Sequence, residues 1–379
     1  MIAVEIVFWV AAALIAWTHV GYPLALLALA RLRPGYVPAE PPAELPRVSL
    51  LIAAHDEEAV IEAKVRNALA LDYPRELLEI IVASDGSRDR TVELARAAGA
   101  DEVLDLPRGG KIPAQNAAAD RATGEILAFS DANAMWEPRA LRKLVAAFGD
   151  ERVGYVCGQA TFTSQAADGG TANEEGAYWR LELRLREAES GLAGVTAGNG
   201  AIYAVRREAY IPLGPAASHD LSFPFMLTKR GWRCVYVPDA RAREPMVATI
   251  EGEFARKRRM MRGIWDEVVR DGMISPRGYN LLYAWEIASH RILRYASPAL
   301  HLVVLVANIA LVGESPIYVA TLAAQAAVLV AAALAGALPA RPLRLARYYV
   351  LTTASIAAGL VDRVRFGTPG AWEKAEGTR

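Results

Sequence analysis

The sequence predicts an α/β domain wound about a doubly wound sheet and carried on membrane helices. Three observations predict it. Uncharged apolar runs long enough to cross a bilayer lie near both ends of the 379-residue chain. Between them, short apolar runs suited to buried strands alternate with stretches of helical periodicity. Acidic and small residues collect just after those strands, where open α/β sheets bind ligands.

The first run, residues 6–30 (IVFWVAAALIAWTHVGYPLALLALA), carries no formal charge. At roughly 1.5 Å per residue it can span a hydrocarbon layer about 30 Å thick. A cleaved signal peptide fits poorly, because the run is long and its basic residues follow it. Arg31 and Arg33 come directly after, so the positive-inside rule directs the N-terminus outward and the next domain into the cytoplasm. We therefore assign residues 1–31 to a transmembrane helix and 32–46, with PAEPPAELP at 38–46, to a stiff linker.

The water-soluble domain takes residues 47–244. It opens on a strand at 48–54 (VSLLIAA), and His55-Asp56-Glu57-Glu58 leads into a helical stretch. A second strand, 79–83, ends in Ser84-Asp85-Gly86-Ser87-Arg88-Asp89 ahead of a helix at 91–98. A third, 125–129, ends in Ser130-Asp131-Ala132-Asn133. Residues 245–294 mix Arg and Lys with Trp and Tyr, as helices lying along a membrane face do. Residues 296–312 and 316–338 read as a transmembrane hairpin, and Arg341, Arg344 and Arg347 return the chain to the basic side. The run at 348–361 is short for a full span and suits the interface or a re-entrant segment. Residues 367–379 are a tail.

Charge and cysteine usage exclude several classes. With 42 basic and 42 acidic residues the net charge is zero, so no basic excess exists to bind nucleic acid. Two cysteines, Cys157 and Cys234, are too few for a disulfide framework or a structural zinc site. Both stand in apolar runs, as buried reduced thiols do.

The candidate site residues stand at strand ends and turns. Asp131 and Asn133, two apart, point to one side of an extended chain and offer oxygen donors to Mg²⁺ or Mn²⁺; a solvated turn is the alternative. Gly109-Gly110-Lys111 is a basic loop fit for phosphates, or a surface turn. Asp220, just before the apolar stretch 221–227, is a general base or a helix N-cap.

Taken together, residues 51–58 (LIAAHDEE), 82–91 (VASDGSRDRT), 109–116 (GGKIPAQN), 129–133 (FSDAN), 198–208 (GNGAIYAVRRE) and 219–240 (HDLSFPFMLTKRGWRCVYVPDA) resemble the ordered motifs of family 2 glycosyltransferases. The resemblance is to the membrane-embedded group related to cellulose, chitin and hyaluronan synthases. It implies a GT-A fold with a doubly wound mixed sheet and a nucleotide-diphosphate sugar donor, UDP being the common case. It also implies inverting hexosyl transfer to a glycan or lipid-linked acceptor, and a place in polysaccharide biosynthesis at the bacterial cytoplasmic membrane. Asp85 matches the aspartate that contacts the base, with Glu57 beside it. Asp131 and Asn133 match the Asp-x-Asp metal site, with Asn second. Lys111 matches a lysine near the donor and Asn116 follows it. Gly198-Asn199-Gly200 resembles the loop that closes over sugar and acceptor, and Asp220 matches the catalytic base.

Two departures bear on the product. His219 stands where relatives usually carry an acidic residue. Processive relatives carry Gln-x-x-Arg-Trp after the base, whereas here Arg256-Lys257-Arg258-Arg259-Met260 replaces Gln by Arg and Trp by Met. Arg259 keeps a guanidinium for the diphosphate, while its neighbours suit anionic lipid. The missing Trp points to single or limited sugar addition rather than a long polymer. Three alternatives compete: a processive synthase of the same family, a nucleotidyltransferase, and a non-catalytic membrane subunit.

Overall fold

In the computed structural model the described residues are 1–33, 36, 42, 44–163, 171–245, 250–338 and 340–368, with the backbone alone at 162–163, 171–178, 245, 250–253 and 256. Most of the Pro-rich linker, the tail from residue 369 and the Arg256 side chain lie outside this set. In chain order the elements are α1 (Ile2–Ala16), α2 (Tyr22–Leu32), β1 (Val48–Ala54), α3 (Ile61–Leu69), β2 (Leu78–Asp85), α4 (Thr91–Ala97), β3 (Glu102–Leu106) and α5 (Lys111–Arg121). Then come β4 (Ile126–Asp131), β5 (Met135–Trp136), α6 (Ala140–Ala146), β6 (Val153–Thr163), α7 (Thr171–Leu192), β7 (Tyr203–Arg206), α8 (His219–Lys229) and β8 (Arg233–Pro245). The C-terminal part is helical: α9 (Ile250–Val269), α10 (Leu281–Ile287), α11 (Leu293–Leu311), α12 (Pro316–Leu334) and α13 (Arg341–Phe366).

The eight strands form one sheet in the order β3-β2-β1-β4-β7-β6-β8-β5. β1 is buried at all seven positions, which is why its run is continuously apolar instead of alternating. It pairs in parallel with β2 and β4, and β2 pairs in parallel with β3. The mixed character comes from β7, antiparallel to both β4 and β6, and from β5, antiparallel to β8. Successive strand residues feed opposite faces: Leu50, Ile52, Ile80 and Val82 pack with Val65, Leu141 and Leu144, while Leu51, Ile81 and Phe129 pack with Tyr203 and Phe223. Cys157 and Cys234 are buried free thiols, both pushed up to about 12, by burial first.

Among the described residues three helices are long and apolar enough to cross a membrane: Ile2–Leu32, Leu281–Leu311 and Pro316–Leu334. The first runs 31 residues and takes in a π-turn at Trp17–Gly21. The second begins at Leu281, well ahead of the expected 296, and passes through a π-turn at Ala288–Ile292. Residues 281–294 look interfacial in sequence because they carry Glu286, His290, Arg291 and Arg294. Glu286, His290 and Arg291 are buried, and Arg294 pairs with Glu182 on α7, so the charges meet protein. The short run at 348–361 is the middle of α13, one 26-residue helix laid along α9. Arg258 on α9 meets Asp362 on α13 at 2.6 Å, Lys257 donates to the Tyr348 hydroxyl at 2.8 Å, and Arg363 donates to Asp266 at 2.8 Å.

Candidate active site

The carboxyl ends of β1 and β2 interlock to make one wall of the site. Asp56 sits in the left-handed region (φ 49°), its N–H donating to Ser87 Oγ while its carboxylate accepts from the Arg88 N–H. The Glu57 N–H donates to Thr91 Oγ1 at 2.7 Å, so the Glu57 turn is tied to the start of α4. Asp85 is almost wholly buried at the end of β2. Its Oδ1 accepts from the Gly109 and Gly110 N–H groups at 2.6 and 2.9 Å, and Arg108 donates to its Oδ2 at 2.9 Å. The basic loop is therefore ordered, with Gly110 (φ 105°) as the residue before α5 and Lys111 as the first of that helix.

Lys111 carries the wall to the second half of the site. Its ammonium forms an ion pair with Asp131 at the end of β4. Burial opposes the charge on Lys111, but Asp131, Asp220 and Glu244 outweigh it and hold the group above its ordinary range. Asn133 lies in the turn after β4, not on an extended chain, so the turn, and not strand alternation, brings it near Asp131. Behind that turn the fully buried Lys64 on α3 donates to the Ala134 carbonyl at 2.5 Å, and burial pushes it down to about 7. Sequence reading missed Lys64, which stands amid an ordinary amphipathic helix pattern.

The glycine loop and Asp220 close the arrangement. The Gly198 N–H donates to the Asp220 carbonyl at 2.6 Å, and a Cβ on Gly200 would lie 3.9 Å from Lys111 Nζ. A Cβ on Gly198 would clash with the buried Tyr155 hydroxyl, so the position suits glycine. Asn199 accepts from the Ala201 N–H at 2.9 Å. Asp220 is not the N-cap of α8: that residue is Ser218, and Asp220 is second in the helix. Among the described residues the Asp220 carboxylate has no hydrogen-bond partner.

His219 and Glu267 set the surroundings of Asp220. The His219 ring packs 4.4 Å from Phe223 and edge-on to Phe129, with its Nδ1 at 2.7 Å from the Tyr203 hydroxyl. Burial, then Lys111, keeps it far below its ordinary range, so it is a neutral core residue. Glu267 on α9 is buried and accepts from both the N–H and the hydroxyl of Ser218, at 2.9 and 2.7 Å. Burial pushes its carboxyl well up, Ser218 resists, and Asp220 adds to the rise. Nothing in sequence pairs Glu267 with residue 218; only the packing of α9 does.

Two expected donor residues remain, Asn116 and Arg259. Asn116 donates to the Leu213 carbonyl at 2.9 Å and accepts from the Tyr210 hydroxyl at 2.7 Å. Its amide is thus spent on holding the 210–213 segment against α5. Arg259 lies on α9 beside the exposed Met260. Among the described residues no cluster of three His, Cys, Asp or Glu could hold a metal. What remains is the Asp131–Asn133 pair, whose oxygen donors suit a hard cation and whose carboxylate already meets a positive charge from Lys111.

The comparisons with known proteins agree with this fold. Residues 49–212 match the family model described as Glycosyl transferase family 2. The chain is 28% identical over 303 residues to a β-monoglucosyldiacylglycerol synthase from Trichormus variabilis, covering 74% of this chain and 64% of that protein. It is 24% identical over 237 residues to a poly-β-1,6-N-acetyl-D-glucosamine synthase from Staphylococcus aureus, covering 60% of this chain and 57% of that one. The chain thus spans less than two thirds of the length of these relatives. A mannosyltransferase from Pyrobaculum calidifontis, solved in complex with GDP-Man and Mn²⁺, superposes with a TM-score of 0.70 at 25% identity, covering 95% of this chain and 99% of that one. The fold is that of the GT-A glycosyltransferases. Residues 49–212 are thus similar to the glycosyltransferase family 2 domain.

Proposed function

We propose that the chain moves a sugar from a nucleotide-diphosphate donor to a hydroxyl of a lipid-linked acceptor at the cytoplasmic face of a membrane. One observation carries this reading: Asp220, without a hydrogen-bond partner among the described residues, stands beside the glycine loop and within electrostatic reach of Lys111. A carboxylate so placed takes the acceptor hydroxyl proton while that oxygen attacks the anomeric carbon. The bond from that carbon to the leaving phosphate oxygen breaks, the configuration inverts, and the proton ends on Asp220. The Lys111 ammonium offsets the negative charge gathering on the nucleoside diphosphate. Asp131 and Asn133 would hold a divalent cation, Mg²⁺ or Mn²⁺, which when bound supplies Lewis-acid stabilisation of the diphosphate. The wall formed by Glu57 and the ordered 84–91 turn takes the base.

The acceptor reading rests on the membrane helices, on the diacylglycerol-named relative and on Met260, which offers no aromatic platform for a growing polymer. The cytoplasmic placement rests on Arg31, Arg33, Arg341, Arg344 and Arg347. The test is a screen of UDP-, GDP- and dTDP-sugars with lipid acceptors, with Mg²⁺ or Mn²⁺, on membranes holding the full chain. Wild type is expected to make a short glycolipid, Asp220→Asn to lose transfer by on the order of a thousandfold, and Asp131→Ala to lose its metal dependence. If both variants match wild type, the site is wrong; a high-molecular-weight product would overturn the limited addition.

A further inference from the structure

The loop that carries Gly198–Gly200 is fastened to the membrane helices by a buried polar node. Thr196, two residues ahead of Gly198, is fully buried. Its N–H and hydroxyl both donate to Glu189 Oε2 on α7, at 3.2 and 2.9 Å, and Arg291 Nε donates to its hydroxyl oxygen at 2.9 Å. The other Glu189 oxygen accepts from the Tyr22 hydroxyl at 2.6 Å and lies 2.5 Å from His290 Nδ1. Burial opposes the charge on Glu189, but His290, Arg291 and Tyr22 outweigh it and keep the carboxylate ionised.

The three outer partners come from the two spans and sit at their π-turns. Tyr22 follows the turn at Trp17–Gly21, and His290 and Arg291 lie within that at Ala288–Ile292. Trp17 Nε1 donates to Ser289 Oγ at 3.1 Å, joining one π-turn to the other. A π-turn inserts one residue and re-aims the side chains after it, which straight helices would direct elsewhere. Burying this many polar groups is costly, and an apolar contact would hold the helices as well. A buried polar network instead favours one arrangement of its members, here both spans, α7 and the loop beside Asp220.

We propose that Thr196 is a positioning residue through which the two membrane helices set the glycine loop beside Asp220. The inference rests on the functional reading above for what the loop does, and on the geometry alone for what holds it.

The test compares wild type, Thr196→Val and Thr196→Ser, full chain, in lipid nanodiscs. Valine keeps the shape and removes the hydroxyl; serine keeps the hydroxyl. Amide hydrogen exchange over residues 197–201 is expected to rise at least about tenfold in Thr196→Val, which loses the hydroxyl's bond to Glu189 and the one it accepts from Arg291, and to return to wild type in Thr196→Ser. Exchange over β1 and β2 should not change. With whichever donor wild type turns over, Thr196→Val should lower kcat about tenfold and leave donor KM within about twofold. Unchanged exchange at 197–201 overturns the proposal, and so does a rise spread over the whole domain, which marks a merely structural loss. A wild type inert with every donor would sink the functional reading, while the exchange result still decides the coupling.

Discussion

Replacing Glu267 by Gln separates the hydrogen bonds this residue accepts from the proton it carries. Gln keeps an oxygen for the Ser218 N–H and hydroxyl, which approach Oε1 at 2.9 and 2.7 Å. The folded-state carboxyl titrates well above the ordinary 4.5, because it is buried and faces Asp220. An acid raised in the folded state binds its proton more tightly there than in the unfolded chain. Its stabilising share is complete below about pH 4.5 and shrinks as pH rises towards the folded value, by roughly 1.4 kcal/mol for each pH unit between the two. The Gln variant has no such dependence. It should match wild type near pH 4.5 and exceed it by about 1 kcal/mol or more at pH 8. Ala, by contrast, strands two donors at the start of α8 and should cost about 2–4 kcal/mol at every pH. Thermal unfolding in detergent from pH 4.5 to 8 measures both. A Gln variant whose stability runs parallel to wild type over that range would refute a protonated Glu267.

Two further outcomes test the site. Gly198→Ala forces its Cβ against the buried Tyr155 hydroxyl, straining the loop and its bond to the Asp220 carbonyl; we expect a cost of about 1–3 kcal/mol and a larger fall in kcat than in donor affinity, by steady-state kinetics. Asp85→Asn replaces a carboxylate that accepts three N–H bonds from Arg108, Gly109 and Gly110, and should raise donor KM on the order of tenfold through a loosened Lys111 loop, with acceptor KM steady.

Much of the site was legible because its residues stand at strand ends. The 84–89 and 130–133 turns follow strands whose apolar pattern is plain, which draws attention to Asp85 and Asp131, while Lys111 stands out through its Gly-Gly-Lys loop and the family resemblance. The roles were less legible than the places. Asp85 reads as a base contact, yet it builds the loop that starts α5. Asn116 reads as a donor residue, yet it is spent on Leu213 and Tyr210. Asp220 reads equally as cap or base, and Ser218 takes the cap. The first two of these turn on partners far along the chain.

By itself the sequence determined the apolar spans, the strand–helix alternation and the chemistry available at the strand ends, because each depends on neighbours within a few residues. The tertiary structure decided the rest. It drew residues 281–294 into the second long apolar helix by giving Glu286, His290, Arg291 and Arg294 a protein environment, made His219 a neutral aromatic-core residue, and set Glu267 against Ser218. A charge reads as exposed until something buries and pairs it. Those partners, Glu182 and Glu189 on α7 and Ser218 ahead of α8, lie tens of residues away and meet the charges only when the sheet and helices pack.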